Sequence, residues 1–315
     1  GQAVRLEVSA GCSQFLSDFL LRQFDLPEAA LFRVPGPVNL VRLNQLIDLV
    51  DTESMRFARY TPVWPNGLKK GDSLLDQVAQ RDVLLHHPYE SFDPILELLR
   101  DAIDDPNVLA IKQTIYRTGS QPELLRLLRD AVRKGKDVTV VVELKARFDE
   151  ENNINHTEFL EAAGAQVVYG VVGLKTHAKM MLITRREGRK LVRYAHIGTG
   201  NYNAGTARAY TDIGMMTADP ELTADVEQVF LHLASPSRVP KLKKALLAPF
   251  TLHKAMLKKL DQAAEAAAAG RVARVMCKMN SLTDEPLVRA LLRAGAAGVK
   301  VDLVVRGACI LPPGL

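Results

Sequence analysis

Over the first sixty residues the apolar positions return at helical spacing. "CSQFLSDFLLRQFDL" and "NLVRLNQLIDLV" bring Phe, Leu, Ile and Val back every three to four places, which lines one face of a helix. "TPVWPNG", with two prolines and a glycine, then breaks the rhythm as a linker would. From about residue 75 the period itself alternates. "VLAIKQTIY" (108–116) is rich in β-formers, and "SQPELLRLLRDAVRKG" has a polar start, Pro122 near its first turn and Gly135 as a stop, the pattern of a helix. "DVTVVVELK" (137–145) is a nearly unbroken apolar run, as a strand covered on both faces requires. "HTEFLEAAG" adds a helix and "QVVYG" a strand, while "AKMMLIT" and "LVRYAHIG" flank the turn-like "RREGRK" as a hairpin. A helix over 221–232 and the Ala-rich helix former "LDQAAEAAAAG" follow. The predicted class is α/β with a mixed sheet.

The same pattern occurs twice. "VLAIKQTIYRTGSQPELLRLLRDAVRKGKDVTVVVELKAR" and "ARVMCKMNSLTDEPLVRALLRAGAAGVKVDLVVRGAC" both run strand, Pro-started helix, glycine, strand, with Lys112 matching Lys278 and Val138 matching Val301. The expected organisation is the end of an upstream domain over 1–63, a whole α/β unit over 64–244 and the opening of a second copy over 245–315. The counterpart of any site late in the first copy is then expected beyond Leu315. The chain opens at Gly1 rather than methionine and stops just after a strand-like run, so a longer polypeptide is expected.

Composition narrows the class. The 315 residues have room for about two domains, and 47% hydrophobic with 24% charged residues is ordinary for a soluble chain. No apolar run approaches the roughly 18 residues of a membrane span, and no charged leader precedes a short apolar segment. The expectation is a cytoplasmic protein without a membrane span. A net charge of +5 suits an anionic ligand without requiring one. Cys12, Cys277 and Cys309 lack C-x-x-C spacing, so neither a disulfide framework nor a zinc site is suggested; they are expected reduced and buried.

The chemistry concentrates in "GLKTHAKMML" (173–182). His177 lies two residues from both Lys175 and Lys179, so on extended backbone the three side chains share one face. Such a histidine is either a satisfied strand-end residue or a nucleophile in an anion pocket. "GTGNYN" (198–203) follows, its glycines allowing close backbone approach and Thr199 and Asn201 able to donate to phosphate oxygens. H-x-K followed by G-[ST]-x-N, in a duplicated α/β chain, resembles the phospholipase D superfamily, in which two half-sites face each other. Thr184 stands where that superfamily carries an aspartate, which counts against plain phosphodiesterase or nuclease chemistry, the alternative reading.

Longer motifs sharpen the resemblance. "HHPYESFDPILELLRDAIDDPNVLAIKQTIYR", "VELKARFDEENNI", "GVVGLKTHAKMMLITRRE", "HIGTGNYNAGTARAYTDIGMMT" and "KMNSLTDEPLV" resemble polyphosphate kinases of the bacterial ATP-dependent, phosphohistidine type. That resemblance implies the end of a head domain, a first phospholipase D-like catalytic domain and the truncated start of a second. It implies that His177 is autophosphorylated, that Tyr210 and Arg306 contact ATP, and that Arg117 and Arg147 stand beside magnesium and the phosphates. A guanidinium has no lone pair, so those arginines would hold phosphate rather than ligate Mg²⁺. ATP or ADP and inorganic polyphosphate are the implied partners, with no nucleic acid, a homodimer or homotetramer as the assembly, and a cytoplasmic location, with the periphery of the inner membrane as the alternative. The family's second essential histidine would lie past Leu315 and its adenine-contacting asparagine before Gly1. His86, His87, His156, His196, His232 and His253 are expected to be structural, and this chain alone is expected to be inactive.

Overall fold

The computed structural model describes residues 3–50, 52–55, 57–58, 60–116, 122–143, 150–171, 173–236 and 239–312. The chain packs as two units, Gly1–Tyr60 and Thr61–Leu315, the break coming where the Pro- and Gly-bearing linker begins.

In the first unit a short strand, β1 (Leu6–Ser9), precedes α1 (Gln14–Gln23), whose first turn is capped by Ser13 Oγ accepting from Leu16 N. β2 (Leu31–Val34) returns to pair with β1 in parallel. This strand pair escaped a reading that saw helical period alone. Four-residue strands are too short to impose a period of two on the pattern. The second predicted helix is a 3₁₀ turn followed by the six-residue α2 (Asn44–Leu49).

The second unit runs α3 (Leu74–Gln80), β3 (Val83–His87), α4 (Asp93–Asp104), β4 (Val108–Ile115), α5 (Pro122–Arg133), β5 (Asp137–Val142), α6 (Glu150–Ala163), β6 (Gln166–Val168), β7 (Lys179–Glu187), β8 (Lys190–Gly198), α7 (Ala204–Ala209), β9 (Asp212–Thr217) and α8 (Pro220–Ala234). Its sheet has seven strands in the order β3-β9-β8-β7-β4-β5-β6. β4, β5 and β6 are parallel, whereas β7, β8, β9 and β3 join antiparallel, so the α/β class with a mixed sheet is what is observed. "RREGRK" contributes only Gly188 and Arg189 to the turn, because β7 and β8 stay paired out to Glu187 and Lys190. "GTGNYN" is not a hairpin turn; it follows β8 and leads into α7, with Asn203 capping that helix by accepting from Thr206 N.

The sheet is covered on both faces. Val140, Val142, Met181 and Ile183 enter one core with residues of α3, α4, α5 and α6, while Val141, Met180 and Leu182 face Val226, Val229 and Phe230 of α8. Consecutive positions are therefore apolar for two different reasons. After α8, the buried Asp225 anchors the connection by accepting from Lys243 N, Lys244 N and Ala245 N. Burial alone would raise its pKa, but these donors hold it below the ordinary carboxylate value.

α9 (Leu252–Ala268), β10 (Arg274–Met279), α10 (Glu285–Ala296) and β11 (Lys300–Val305) enclose a third core of their own. β10 and β11 pair in parallel, as β4 and β5 do, each pair joined through a helix. The registers differ by two residues: Val138 pairs with Ile111, whereas its match Val301 pairs with Val275 and not with Cys277, the match of Ile111. The expected burial of the cysteines is corrected. Cys12 and Cys277 are half-buried and Cys309 is exposed, all with free thiols, because they lie in a turn, in a two-stranded sheet and in a loop.

Candidate active site

Strand directions gather the chemistry at one rim. β4 and β5 end at Ile115 and Val142, so Tyr116 and Glu143 emerge side by side, with Glu143 N donating to Ile115 O at 3.1 Å. β7 runs opposite to β4 and begins at Lys179, which pairs with Gly198 at the end of β8. β9 begins at Asp212, opposite His87 at the end of β3. In α/β sheets, ligand crevices form at such carboxyl ends.

His177 lies two residues before β7, exposed as a whole but with its ring edge-on to Tyr116, at 5.2 Å between centroids and 87° between planes. Lys175 and Lys179 place their ammonium groups 5.0 and 5.3 Å from the centroid of that same Tyr116 ring, a distance at which an aromatic face stabilises a cation. The phenol ring is thus a platform for two cations and the imidazole. Partial burial first, then Lys179 and Lys175, lower the His177 pKa below its ordinary value, with Glu143 opposing. The shift favours the unprotonated ring, in which one nitrogen carries a lone pair. The predicted common face of His177, Lys175 and Lys179 is realised as convergence on Tyr116 rather than as alternation along a strand, since residues 175–178 precede β7.

Lys179 is only 5% exposed, and its Nζ donates to the backbone oxygen of His177. Burial lowers its pKa to about 8, Asp212 opposing and Lys175 adding to the drop. Asp212 also accepts the Thr199 hydroxyl at 2.8 Å, and that same oxygen of Thr199 accepts from Ile213 N at 3.0 Å. The Thr199 hydroxyl hydrogen is therefore already committed. A Cβ at Gly200 would lie 2.6 Å from Asp212 Oδ2, so a larger residue there would displace that carboxylate. Glu143 Oε2 accepts from Thr176 N at 2.5 Å, tying the segment that carries His177 to the end of β5.

Tyr210 and Arg306 meet, the guanidinium carbon standing 5.2 Å from the ring centroid. Lys278 Nζ donates to Thr211 O at 2.8 Å. Asn201 lines a small cavity with His87, His196 and Asp212. Arg117 and Arg147 lie outside the described residues. Of the other histidines, His196 is buried and its Nδ1 lies 2.8 Å from the Tyr202 hydroxyl, and His253 is 3.0 Å from Asp284. Sequence reasoning missed Tyr116, Glu143 and Asp212. Each stands at a strand end, and only the pairing of strands far apart in sequence brings them to His177.

The profile of polyphosphate kinase C-terminal domain 1 matches residues 73–239, the seven-stranded sheet with its helices, and that of C-terminal domain 2 matches residues 245–315. The chain belongs to the polyphosphate kinase family. It is 53% identical to a polyphosphate kinase of Neisseria meningitidis over all 315 residues, and 50% identical to one of Pseudomonas putida over the same span. It covers 46% and 43% of those two proteins, less than half of either. The crystal structure of polyphosphate kinase from Porphyromonas gingivalis superimposes with a TM-score of 0.81 at 30% identity, over 99% of this chain and 48% of that one. Within this family the described residues bring an imidazole, two lysine side chains and an aromatic platform to one sheet rim.

Proposed function

We propose that this chain carries the nucleophilic half of an ATP-polyphosphate phosphotransferase, with His177 as the transient phosphate carrier. An unprotonated ring nitrogen of His177 forms an N–P bond to the terminal phosphorus of ATP, while the bond from that phosphorus to the bridging oxygen breaks and the electron pair leaves with ADP. A terminal oxygen of polyphosphate then attacks the phosphorus, and the N–P pair returns to the imidazole. Both steps are reversible, because a phosphoramidate retains transfer potential. The observation that supports this reading is the convergence of the His177 ring and the Lys175 and Lys179 ammonium groups on Tyr116. Phosphoryl transfer needs positive charge around three equatorial oxygens and in-line placement more than covalent help. Lys175 and Lys179 supply that charge beside the nucleophile, while Tyr210 and Arg306, stacked on each other, are proposed to receive the nucleotide. Arg117 and Arg147 belong to the proposal through the family resemblance.

Magnesium enters as the companion of the nucleotide phosphates. Glu143 and Asp212, the carboxylates beside Thr176 and Thr199, already accept hydrogen bonds, and among the described residues no group of three His, Cys, Asp or Glu could hold a metal. The described side chains therefore do not fit a protein-held ion, and no step is assigned to one. Among the described residues no helix is long and apolar enough to cross a membrane. A cytoplasmic location and a homodimeric or homotetrameric assembly are proposed for the complete protein.

The test uses the complete protein with γ-labelled ATP. Acid-labile label on the protein is expected, and both label and polymer should vanish in His177→Ala. Label retained by that variant would overturn the role of His177. The 315-residue chain alone should make no polymer, and polymer made by it would refute its proposed incompleteness.

A further inference from the structure

The cavity beneath Gly198–Asn201 is lined by His87, His196, Gly200, Asn201, Asp212 and Gly214 among others, and gives the centre of a water-sized sphere about 10 Å³, close to what a single water needs. His87 Nε2, His196 Nε2 and Asn201 Oδ1 are all cut off from solvent and have no hydrogen-bond partner among the described residues. The two histidines are 5% and 3% exposed. Polar atoms buried in this way are normally paired, and each left unpaired carries a desolvation cost.

The protons on these rings follow from their other partners. His87 Nδ1 lies 2.9 Å from Glu90 O. A carbonyl can only accept, so Nδ1 carries a hydrogen, and with a single ring hydrogen Nε2 is left as an acceptor. His196 is kept neutral, since burial pushes its pKa down to about 3. Its Nδ1 lies 2.8 Å from the Tyr202 hydroxyl, whose pKa burial raises well above the ordinary value. That protonated phenol lies nearer to Nδ1 than to His196 O, at 3.4 Å. Tyr202 therefore donates to Nδ1, and the His196 hydrogen is on Nε2. The cavity presents one donor and two acceptors, which a single water satisfies with one lone pair and both hydrogens.

We propose that one ordered water is bound here, accepting from His196 Nε2–H and donating to His87 Nε2 and Asn201 Oδ1, and that through it His87 is a positioning residue for Asn201 of the Gly-Thr-Gly-Asn turn. With Oδ1 held inward, the amide N–H groups of Asn201 are left to donate elsewhere. Because the Thr199 hydroxyl already serves Asp212, Asn201 is the side-chain donor this turn offers a phosphate oxygen. The positioning role rests on the phosphoryl-transfer reading; the water does not.

Two measurements separate these parts. Nitrogen-15 NMR of the 315-residue chain should show His196 as the Nε2–H tautomer and His87 as Nδ1–H. A high-resolution crystal structure should show one water within about 3.2 Å of all three atoms. His196 with its proton on Nδ1, direct bonding between the three groups, or a cation in their midst would each overturn the water. In the complete protein, His87→Phe removes one acceptor whereas His87→Gln keeps an oxygen near the place of Nε2. Phosphoenzyme formation should fall roughly tenfold in the first and recover in the second, the worth of about one hydrogen bond. Equal rates in the two variants would overturn the positioning role and leave the water standing. If the unsubstituted protein forms no phosphoenzyme, the functional reading fails and positioning with it, while the tautomers and the density still decide the water. A variant that does not fold leaves the decision to those same two readings.

Discussion

His196 should make the second unit sensitive to mild acid, and His196→Gln should remove that part of the sensitivity. In the folded chain its pKa is pushed down to about 3, whereas in the unfolded chain it returns to the ordinary value of about 6.5. The folded value is depressed and the group is a base, so the unfolded state binds more protons, and stability falls as pH drops below about 6.5. At pH 7.5 both states hold little proton. At pH 5 about 97% of unfolded imidazoles are charged against about 1% of folded ones, which costs about 2 kcal/mol of stability. Because pH 5 lies well above the folded value, the figure is set almost wholly by the unfolded state. The loss would continue to about pH 3 and then stop. The assay is urea unfolding at pH 7.5, 6 and 5, followed by the fluorescence of Trp64, the chain's single tryptophan, which packs against the main core of this unit. Asp225, whose pKa is also lowered, loses stability in acid in parent and variant alike and cancels in the difference. The reasoning is refuted if the two proteins lose stability in parallel between pH 7.5 and 5.

Lys179, with a pKa of about 8, loses charge as pH rises through that value, so about a tenth of its charge is left at pH 9. Tripolyphosphate binding by the 315-residue chain should weaken from pH 7 to pH 9, and Lys179→Arg should hold it level; parent affinity unchanged over that range would exclude the lysine from the anion site. At Gly214 an added Cβ would lie 2.6 Å from His196 Nε2, so Gly214→Ala should cost about 1–3 kcal/mol in urea unfolding. Adding His196→Ala should recover part of that loss, and strict additivity of the two substitutions would show that the ring is not what Gly214 makes room for.

The parts of the fold legible in the sequence are those whose burial repeats over many residues. α5 and β5 announce themselves because one helix face or both strand faces are buried from end to end. β3 and β9 do not: "VLLHH" and "DIGMMT" each include residues that serve the cavity or its neighbours, namely His87, Asp212, Ile213 and Gly214. These interrupt the apolar pattern where function interrupts the core. The same distinction governs the site. His177, Lys175 and Lys179 are neighbours in sequence and could be read as a cluster, and Thr199 and Asn201 share a recognisable turn. Tyr116, Glu143 and Asp212 come from three other strands, and nothing local marks them. His196, expected to be structural, is buried as expected, yet its ring leans on Gly198 and Gly214, which face each other across β8 and β9. That pair of glycines was the available signal.

Lys278 and Arg306 belong to the second copy of the repeat, yet they grip Thr211 and Tyr210, the two residues immediately before Asp212. The smaller sheet thus has a short leash on the strand whose first carboxylate favours the charged form of Lys179 against burial and holds the Gly-Thr-Gly-Asn turn. Whatever tugs β10 and β11 is felt within two residues of backbone from Asp212, so the two sheets are wired together through Tyr210 and Thr211.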